Sequence, residues 1–278
     1  MDYRKKFIVA PGSRAQLGAF DPAFPGKHGN EARVGAALAS EVSRLTELQY
    51  RLYAEKKHAL LVVLQGIDAA GKDGTVWHVM TALNAQGTTV TGFKQPTELE
   101  RAHDFLWRVH PHAPALGQVA IFNRSHYEDV LVVRVHDLVP KAVWSRRYDQ
   151  INAFEELLAA SGVTIVKFFL SISPDEQLAR FKERLDDPAR QWKISEADYK
   201  ERAFWDDYAK AYEAMLEKCS TAHAPWYVIP SNHKWFRNLA VSRILADTLD
   251  DLRMKMPKPT VDLDAIRKAY HAAADDGL

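Results

Sequence analysis

Residues 59–75 read ALLVVLQGIDAAGKDGT: an apolar run rich in branched side chains that stops at a glycine and opens into G-x-x-x-x-G-K. An apolar run without polar alternation suits a strand buried on both faces, the environment of a parallel sheet. A glycine-rich loop of this pattern holds phosphate only when it joins such a strand to a helix, and Thr75 to about Leu83 reads as that helix. One short stretch thus demands a strand, a phosphate loop and a helix in succession, and restricts the chain to α/β architectures.

The rest of the 278-residue chain is consistent with this. Strands are expected at 88–93 (TTVTGF), 118–123 (QVAIFN), 163–172 (VTIVKFFLSI) and 225–230 (PWYVIP). Helices are expected at 97–110, 141–162, 204–219 and 234–256, and a long amphipathic one from Asn30 to about Lys57 precedes the first strand. Such alternation predicts a central five-stranded parallel sheet covered by helices on both faces. Ligands then bind at the carboxyl ends of the strands, which singles out the loops after Gln65 and Phe122. Residues 1–30, with Pro11, Gly12, Pro22, Pro25 and Gly26, read as an extended, loop-rich arm. Residues 31–256 form the main domain, and the tail 257–278 has room for one more short helix.

The formal net charge is +1, so a polyanion must be held by a local cluster and not by a globally basic field. Cys219 is the sole cysteine, which excludes an intrachain disulfide and suits a reducing compartment. No signal-peptide core or membrane-length apolar run is present, and the chain reads as a soluble, cytoplasmic protein. Its long helices offer apolar surface to a second copy as well as to their own sheet, and a homo-oligomer is expected.

Within the loop, Gly66, Ala69, Ala70, Gly71, Lys72, Asp73, Gly74 and Thr75 are the candidate phosphate-binding residues. Glycines let backbone N–H groups converge on phosphate oxygens, and Lys72 adds a point charge. Asp73 occupies the place where such loops usually carry Ser or Thr. Carboxylates beside phosphate require a cation between them, and magnesium takes one or two carboxylates alongside phosphate and water. Asp68 and Asp73 are therefore candidate metal ligands; Thr75 is an alternative hydroxyl two positions late, and Asp73 also suits a helix N-terminus for purely structural reasons. After the third strand comes Asn123, which can donate to phosphate but cannot act as a base, then Arg124, whose planar fork suits phosphate. Glu128 is a further candidate metal ligand, and Glu128 and Asp129 are candidates on the nucleotide side. His110, His112 and His126 lack a matching ligand cluster and do not indicate a transition-metal site.

The segment RFKERLDDPARQWKISEADYKER (180–202) mixes bases with nearly as many acids. As a solvated helical pair it would be laced with weak salt bridges. As a mobile lid it would bring Arg180 and Arg184, one turn apart, onto a transferring phosphoryl group. The interleaved acids argue against a nucleic-acid-binding face.

Four blocks, GIDAAGKDGT, FNRSHYEDVLVVRV, RLDDPARQWKIS and APWYVIPSNHKWFRN, closely resemble the polyphosphate kinase 2 family, and the Asn123 and Glu128-Asp129 pattern resembles its class III branch. The resemblance covers roughly residues 30–256. It implies a three-layer P-loop kinase fold with a helical lid at about 174–207, and magnesium-dependent phosphoryl transfer between inorganic polyphosphate and nucleoside mono- and diphosphates. By motif position Asp68, Lys72, Arg124 and Arg184 match the family's functional residues. Asn123 falls where other branches carry Asp, which puts a second catalytic carboxylate there in doubt. The residues alone reach a phosphoryl-transfer site and leave an ATP-dependent nucleotide kinase as the alternative.

Overall fold

The computed structural model describes residues 1–27, 29, 31, 34–80 and 83–275. Its centre is one five-stranded, wholly parallel sheet in the order β2-β3-β1-β4-β5. The strands are β1 (Ala59–Gln65), β2 (Thr88–Gly92), β3 (Val119–Asn123), β4 (Val163–Ser171) and β5 (Trp226–Pro230). All of β1 is buried, as its unbroken apolar run requires.

Helices cover both faces in a three-layer α/β arrangement. They are α1 (Tyr3–Phe7), α2 (Gly35–Glu55), α3 (Lys72–Thr75), α4 (Glu98–Arg101), α5 (Val132–Val135), α6 (Lys141–Ala160), α7 (Pro174–Asp186), α8 (Glu196–Arg202), α9 (Trp205–Cys219), α10 (Lys234–Asp251) and α11 (Leu263–Asp275). Alternate residues of β1 serve opposite cores. Leu60, Val62 and Leu64 face the layer of α2 and α10, while Leu61 and Val63 face that of α6 and α9. Parallel register sets Leu64 beside both Asn123 and Phe168, so the loops leaving β1 and β3 emerge side by side.

The N-terminal arm departs from the extended loop expected for it. Tyr3 and Phe7 of α1 are buried, and with Phe24 they pack edge-on around Phe236 of α10. Ile8 then pairs antiparallel with Tyr227, covering the outer edge of β5. The start of the second helix at Asn30 lies outside the described residues. After the phosphate loop, α3 runs only to Thr75 and continues as a π-helical turn, Val76–Met80; residues 81 and 82 of the expected helix also lie outside.

The helix expected over 97–110 is reduced to α4, which begins in a Thr97–Glu100 capping box. Asp104 Oδ1 accepts from the Leu106 N–H, a local turn that competes with helix, and Arg108 is drawn to the Lys94 carbonyl at 2.8 Å. The charged segment 174–202 folds as α7, a 3₁₀ turn at Gln191–Lys193, and α8. The C-terminal helix α11 is longer than the short one expected, and residues 257–274 are exposed throughout.

Candidate active site

The phosphate loop is shaped by three positive φ angles: +155° at Gly66, +65° at Ala69 and +106° at Gly71. At Gly66 a Cβ would stand 2.8 Å from the Leu170 carbonyl oxygen, and at Gly71 it would stand 1.9 Å from Nη1 of Arg237. Neither site admits a side chain. The non-glycine Ala69 holds its left-handed backbone under strain, which the surroundings must hold in place.

That restraint comes from α7. Gln177 Nε2 donates to the Asp68 carbonyl at 3.0 Å, and Arg180 Nη1 donates to the carbonyls of Ala69 and Ala70 at 2.8 and 3.0 Å. In a planar trans peptide the C=O and the following N–H point in opposite directions. Drawing the Asp68 and Ala70 carbonyls toward α7 therefore turns the N–H groups of Ala69 and Gly71 the other way. The Ala70 N–H instead closes the loop on the Ile67 carbonyl at 3.0 Å.

Lys72 is buried, and its Nζ donates to the Gly66 carbonyl at 2.6 Å. Burial, reinforced by the charge of Arg124, pushes its ammonium down to about 8. The Thr75 hydroxyl donates back to the Gly71 carbonyl at 3.0 Å and is fully buried. Asp73 is the second residue of α3, and its Oδ1 accepts from Asn123 Nδ2 at 2.7 Å.

Arg124 links the two loops. Its backbone has φ +63°, its N–H donates to the Leu64 carbonyl at 3.1 Å, and Nη2 donates to Asp68 Oδ1 at 2.6 Å. Nη1 lies 3.8 Å from Glu128 Oε2. Glu128 also accepts from Gln65 at 3.2 Å, and burial pushes its carboxyl up, against the opposing pull of Arg124 and Lys72. Gly66, Asp68, Arg124 and Glu128 line one wall of a cavity that Tyr208 and Tyr212 of α9 line from the other.

Two expected site residues, Asp129 and Arg180, are placed differently. Asp129 turns from the cavity toward Arg147, 3.0 Å away, and Arg108, 3.8 Å away; successive residues of a 3₁₀ turn project about 120° apart. Arg180 is not open to the phosphate side. Its Nε meets Glu176, its Nη1 the loop carbonyls and its Nη2 the Ser231 and Asn232 carbonyls, so its donors are committed to protein. Arg184, one turn further along α7, is half-buried within the charged segment, with Nη1 3.3 Å from the Lys193 carbonyl.

Residues that sequence reasoning missed include Gln177, Glu201, Tyr208 and Tyr212, which line the cavity, and Arg237, buried against Gly71 and Gly74. Arg237 has Asn238 as a hydrogen-bond partner, and burial together with the Arg180 charge pushes its guanidinium down. Arg237 falls within the block APWYVIPSNHKWFRN, but its approach to the glycines is not readable there, and the other positions carry no local signal because each comes to the site from a distant helix.

A glycine-shaped phosphate loop at the carboxyl end of the central strand, faced by an arginine bridging two carboxylates, defines a phosphotransferase of the P-loop kinase fold. Residues 29–257 match the family model of polyphosphate kinase 2, and the chain belongs to that family. It is 52% identical over 259 residues to the AMP/ADP-polyphosphate phosphotransferase of Meiothermus ruber, covering 92% of this chain and 96% of that protein. It is 42% identical over 268 residues to the ADP-polyphosphate phosphotransferase of Rhodopseudomonas palustris, covering 92% and 93%. The crystal structure of polyphosphate kinase 2 from Arthrobacter aurescens superposes with a TM-score of 0.94 at 45% identity, covering 98% of this chain and 97% of that one.

Proposed function

We propose that this protein transfers a phosphoryl group from inorganic polyphosphate to nucleoside monophosphates and diphosphates, with AMP and ADP giving ADP and ATP. The observation that carries this reading is the Arg124 bridge: one guanidinium joins Asp68 of the phosphate loop to Glu128 of the cavity wall, between two places where phosphate can lie. The names of the Meiothermus and Rhodopseudomonas relatives support the donor and the acceptors.

In this reading Lys72 and the inward N–H groups hold polyphosphate, and the acceptor enters the cavity beneath Tyr208 and Tyr212. Its terminal phosphate is already ionised at neutral pH, so no strong base is needed, and catalysis rests on placement and charge. Lys72 leaves the loop carbonyls for a phosphate oxygen. Arg124, on a strained and preset backbone, neutralises the group in transfer, and Asn123 donates to phosphate from beside it. Within the lid segment 174–207 the start of α7, pinned by Gln177 and Arg180, supports the loop from behind, while the part beyond it moves and turns Arg184 inward. Residues 31–256 form the catalytic domain, with the arm and tail outside it, and the enzyme works as a cytoplasmic homo-oligomer.

The donor set suits magnesium: Asp68 and Asp73 offer only oxygen, and among the described residues no group of three or more His, Cys, Asp or Glu is arranged to enclose a metal. An ion held by one or two carboxylates and completed by phosphate and water fits that pattern. Asp68 and Asp73 would hold it, with Glu128 nearby, and it would supply charge neutralisation between donor and acceptor.

The test is direct. Incubated with magnesium, polyphosphate and AMP or ADP, without ATP as donor, the protein yields ADP and ATP. Product formed only when ATP is added as donor would leave the ATP-dependent nucleotide kinase in its place.

A further inference from the structure

Gln177 stands between the charged helices and the phosphate loop. It lies on α7 three residues before Arg180, hence on the same helix face, and the two side chains take three consecutive loop carbonyls: Asp68, Ala69 and Ala70. Gln177 is 1% exposed, and both ends of its amide are used. Nε2 donates to the Asp68 carbonyl at 3.0 Å, and Oε1 accepts from Nη1 of Arg202 at 2.9 Å. A carbonyl only accepts and a guanidinium only donates, so the amide has one possible orientation.

Arg202 is the last residue of α8, and its Nη1 also reaches the Pro174 carbonyl at 2.7 Å. Its neighbour Glu201 accepts from the Tyr208 hydroxyl at 2.8 Å and lies 3.1 Å from Nε2 of His136. The end of α8 is therefore fastened at two adjacent residues, one to α9 and the segment after α5, the other to α7. From Arg202 the connection continues through one buried amide to the peptide that aims the Ala69 N–H into the loop.

From this arrangement we infer that Gln177 is a positioning residue that couples the placement of α8 to the shape of the phosphate loop. When α8 is seated, Arg202 holds the Gln177 amide in the orientation that keeps the Asp68 carbonyl turned outward. When α8 moves away, Oε1 loses its donor, the amide is free to rotate, and the Asp68–Ala69 peptide loses its restraint just where Ala69 carries a left-handed backbone. The loop is fully formed only when the lid is in place, so donor binding and lid seating favour one another. This rests on the reading of 174–207 as a lid and of the loop as the donor site.

Three variants test it: Gln177→Met, which keeps the volume and removes the amide; Arg202→Met, which removes the far end; and the double variant. Each single change should lower kcat about ten- to hundred-fold, the cost of a small misplacement at a transfer site, with a fall in Tm from the unpaired groups that leaves the protein folded at the assay temperature. The double variant should be no slower than the worse single, because both break one connection. Multiplying losses, or a Gln177→Met enzyme with wild-type kcat, overturn the proposal. Should Gln177→Met not fold, Arg202→Met carries the test alone. Amide hydrogen exchange of the peptide spanning 66–71 gives a readout independent of turnover. It should quicken in both single variants, and unchanged exchange overturns the coupling even if the wild-type protein makes no nucleotide product from polyphosphate, an outcome that would instead reject the proposed reaction.

Discussion

Asn123 Nδ2 donates to Asp73 Oδ1 at 2.7 Å, tying the carboxyl end of β3 to the first turn of the helix after the phosphate loop. An amide can make this bond and a carboxylate cannot. Asn123→Asp would set two carboxylates against each other unless a cation lies between them. The variant should melt lower than wild type without magnesium and gain more than wild type when magnesium is added. Thermal shift with and without the ion measures this, and equal gains in the two proteins would remove Asp73 from the metal site.

The Lys72 ammonium, pushed down to about 8 chiefly by burial, has a consequence for pH. Lysine binds phosphate only when protonated, so kcat/KM for polyphosphate should fall as pH rises through about 8, and bound polyanion should move the fall in kcat to higher pH. The same shift acts oppositely on folding. Between about 8 and the ordinary lysine range the unfolded chain holds the proton that the folded chain has lost, so this group's contribution to stability increases with pH there. Lys72→Ala should abolish measurable turnover. An alkaline fall in kcat/KM centred at the ordinary lysine value would show that burial does not tune this group.

Arg180 supports the loop from behind, with donors committed to Glu176 and to four carbonyls. Arg180→Met leaves those carbonyls and the Glu176 carboxylate without their donor. The expected cost is about 3–5 kcal/mol of folding stability, with loss of activity, because removing one partner of a buried charged network strands the others. Urea denaturation and kcat measured on the same samples decide the matter. Unchanged stability with lost activity would return Arg180 to a direct phosphate contact.

Behind the second loop, Glu155 gathers Lys167, the Tyr127 hydroxyl at 2.8 Å and His126 Nε2 at 3.1 Å, all fully buried. His126 and Tyr127 immediately precede Glu128, so this cluster holds the turn that presents Glu128 to the cavity. Opposed by burial but favoured more by Lys167 and His126, the Glu155 carboxyl is held below its usual range. Its contribution to stability is present above the ordinary carboxylate pKa and is lost as pH falls through the lowered one. Glu155→Gln should cost about 3–5 kcal/mol by leaving the Lys167 ammonium unpaired, and the Glu155→Gln/Lys167→Met pair should recover part of it. A double variant no more stable than Glu155→Gln would show that charge pairing is not what this cluster contributes.

Strands were legible in the sequence because burial on both faces leaves an apolar run with little else in it: β1, β3, β4 and β5 fall where those runs lie. The long helices α2, α6, α9 and α10 follow from 3.6-residue periodicity in the same way. The 97–110 helix was not legible, because the Asp104 side chain and the pull on Arg108 act through local capping and a distant carbonyl that periodicity does not register. The arm was misread because Tyr3 and Phe7 find their apolar partners on Phe24 and Phe236, the last of them more than two hundred residues away. Within the site, Asp68, Lys72, Asn123 and Arg124 converge as their positions at strand ends require. Asp129 is expected there for its place beside Glu128 and Arg180 for the helix face it shares with Arg184, and their side chains leave in other directions.

By itself, the order of residues decided the kind of machine: a buried parallel strand, a glycine loop with a lysine, and an arginine at the end of the next-door strand. Those features are local, and backbone geometry and burial make them readable one segment at a time. Only the tertiary structure decided which way the loop's peptides face, because Gln177 and Arg180 reach it from α7. A carbonyl turns toward whichever buried donor is nearest in space, and the nearest donor is set by how helices pack, not by how far apart residues stand in the chain.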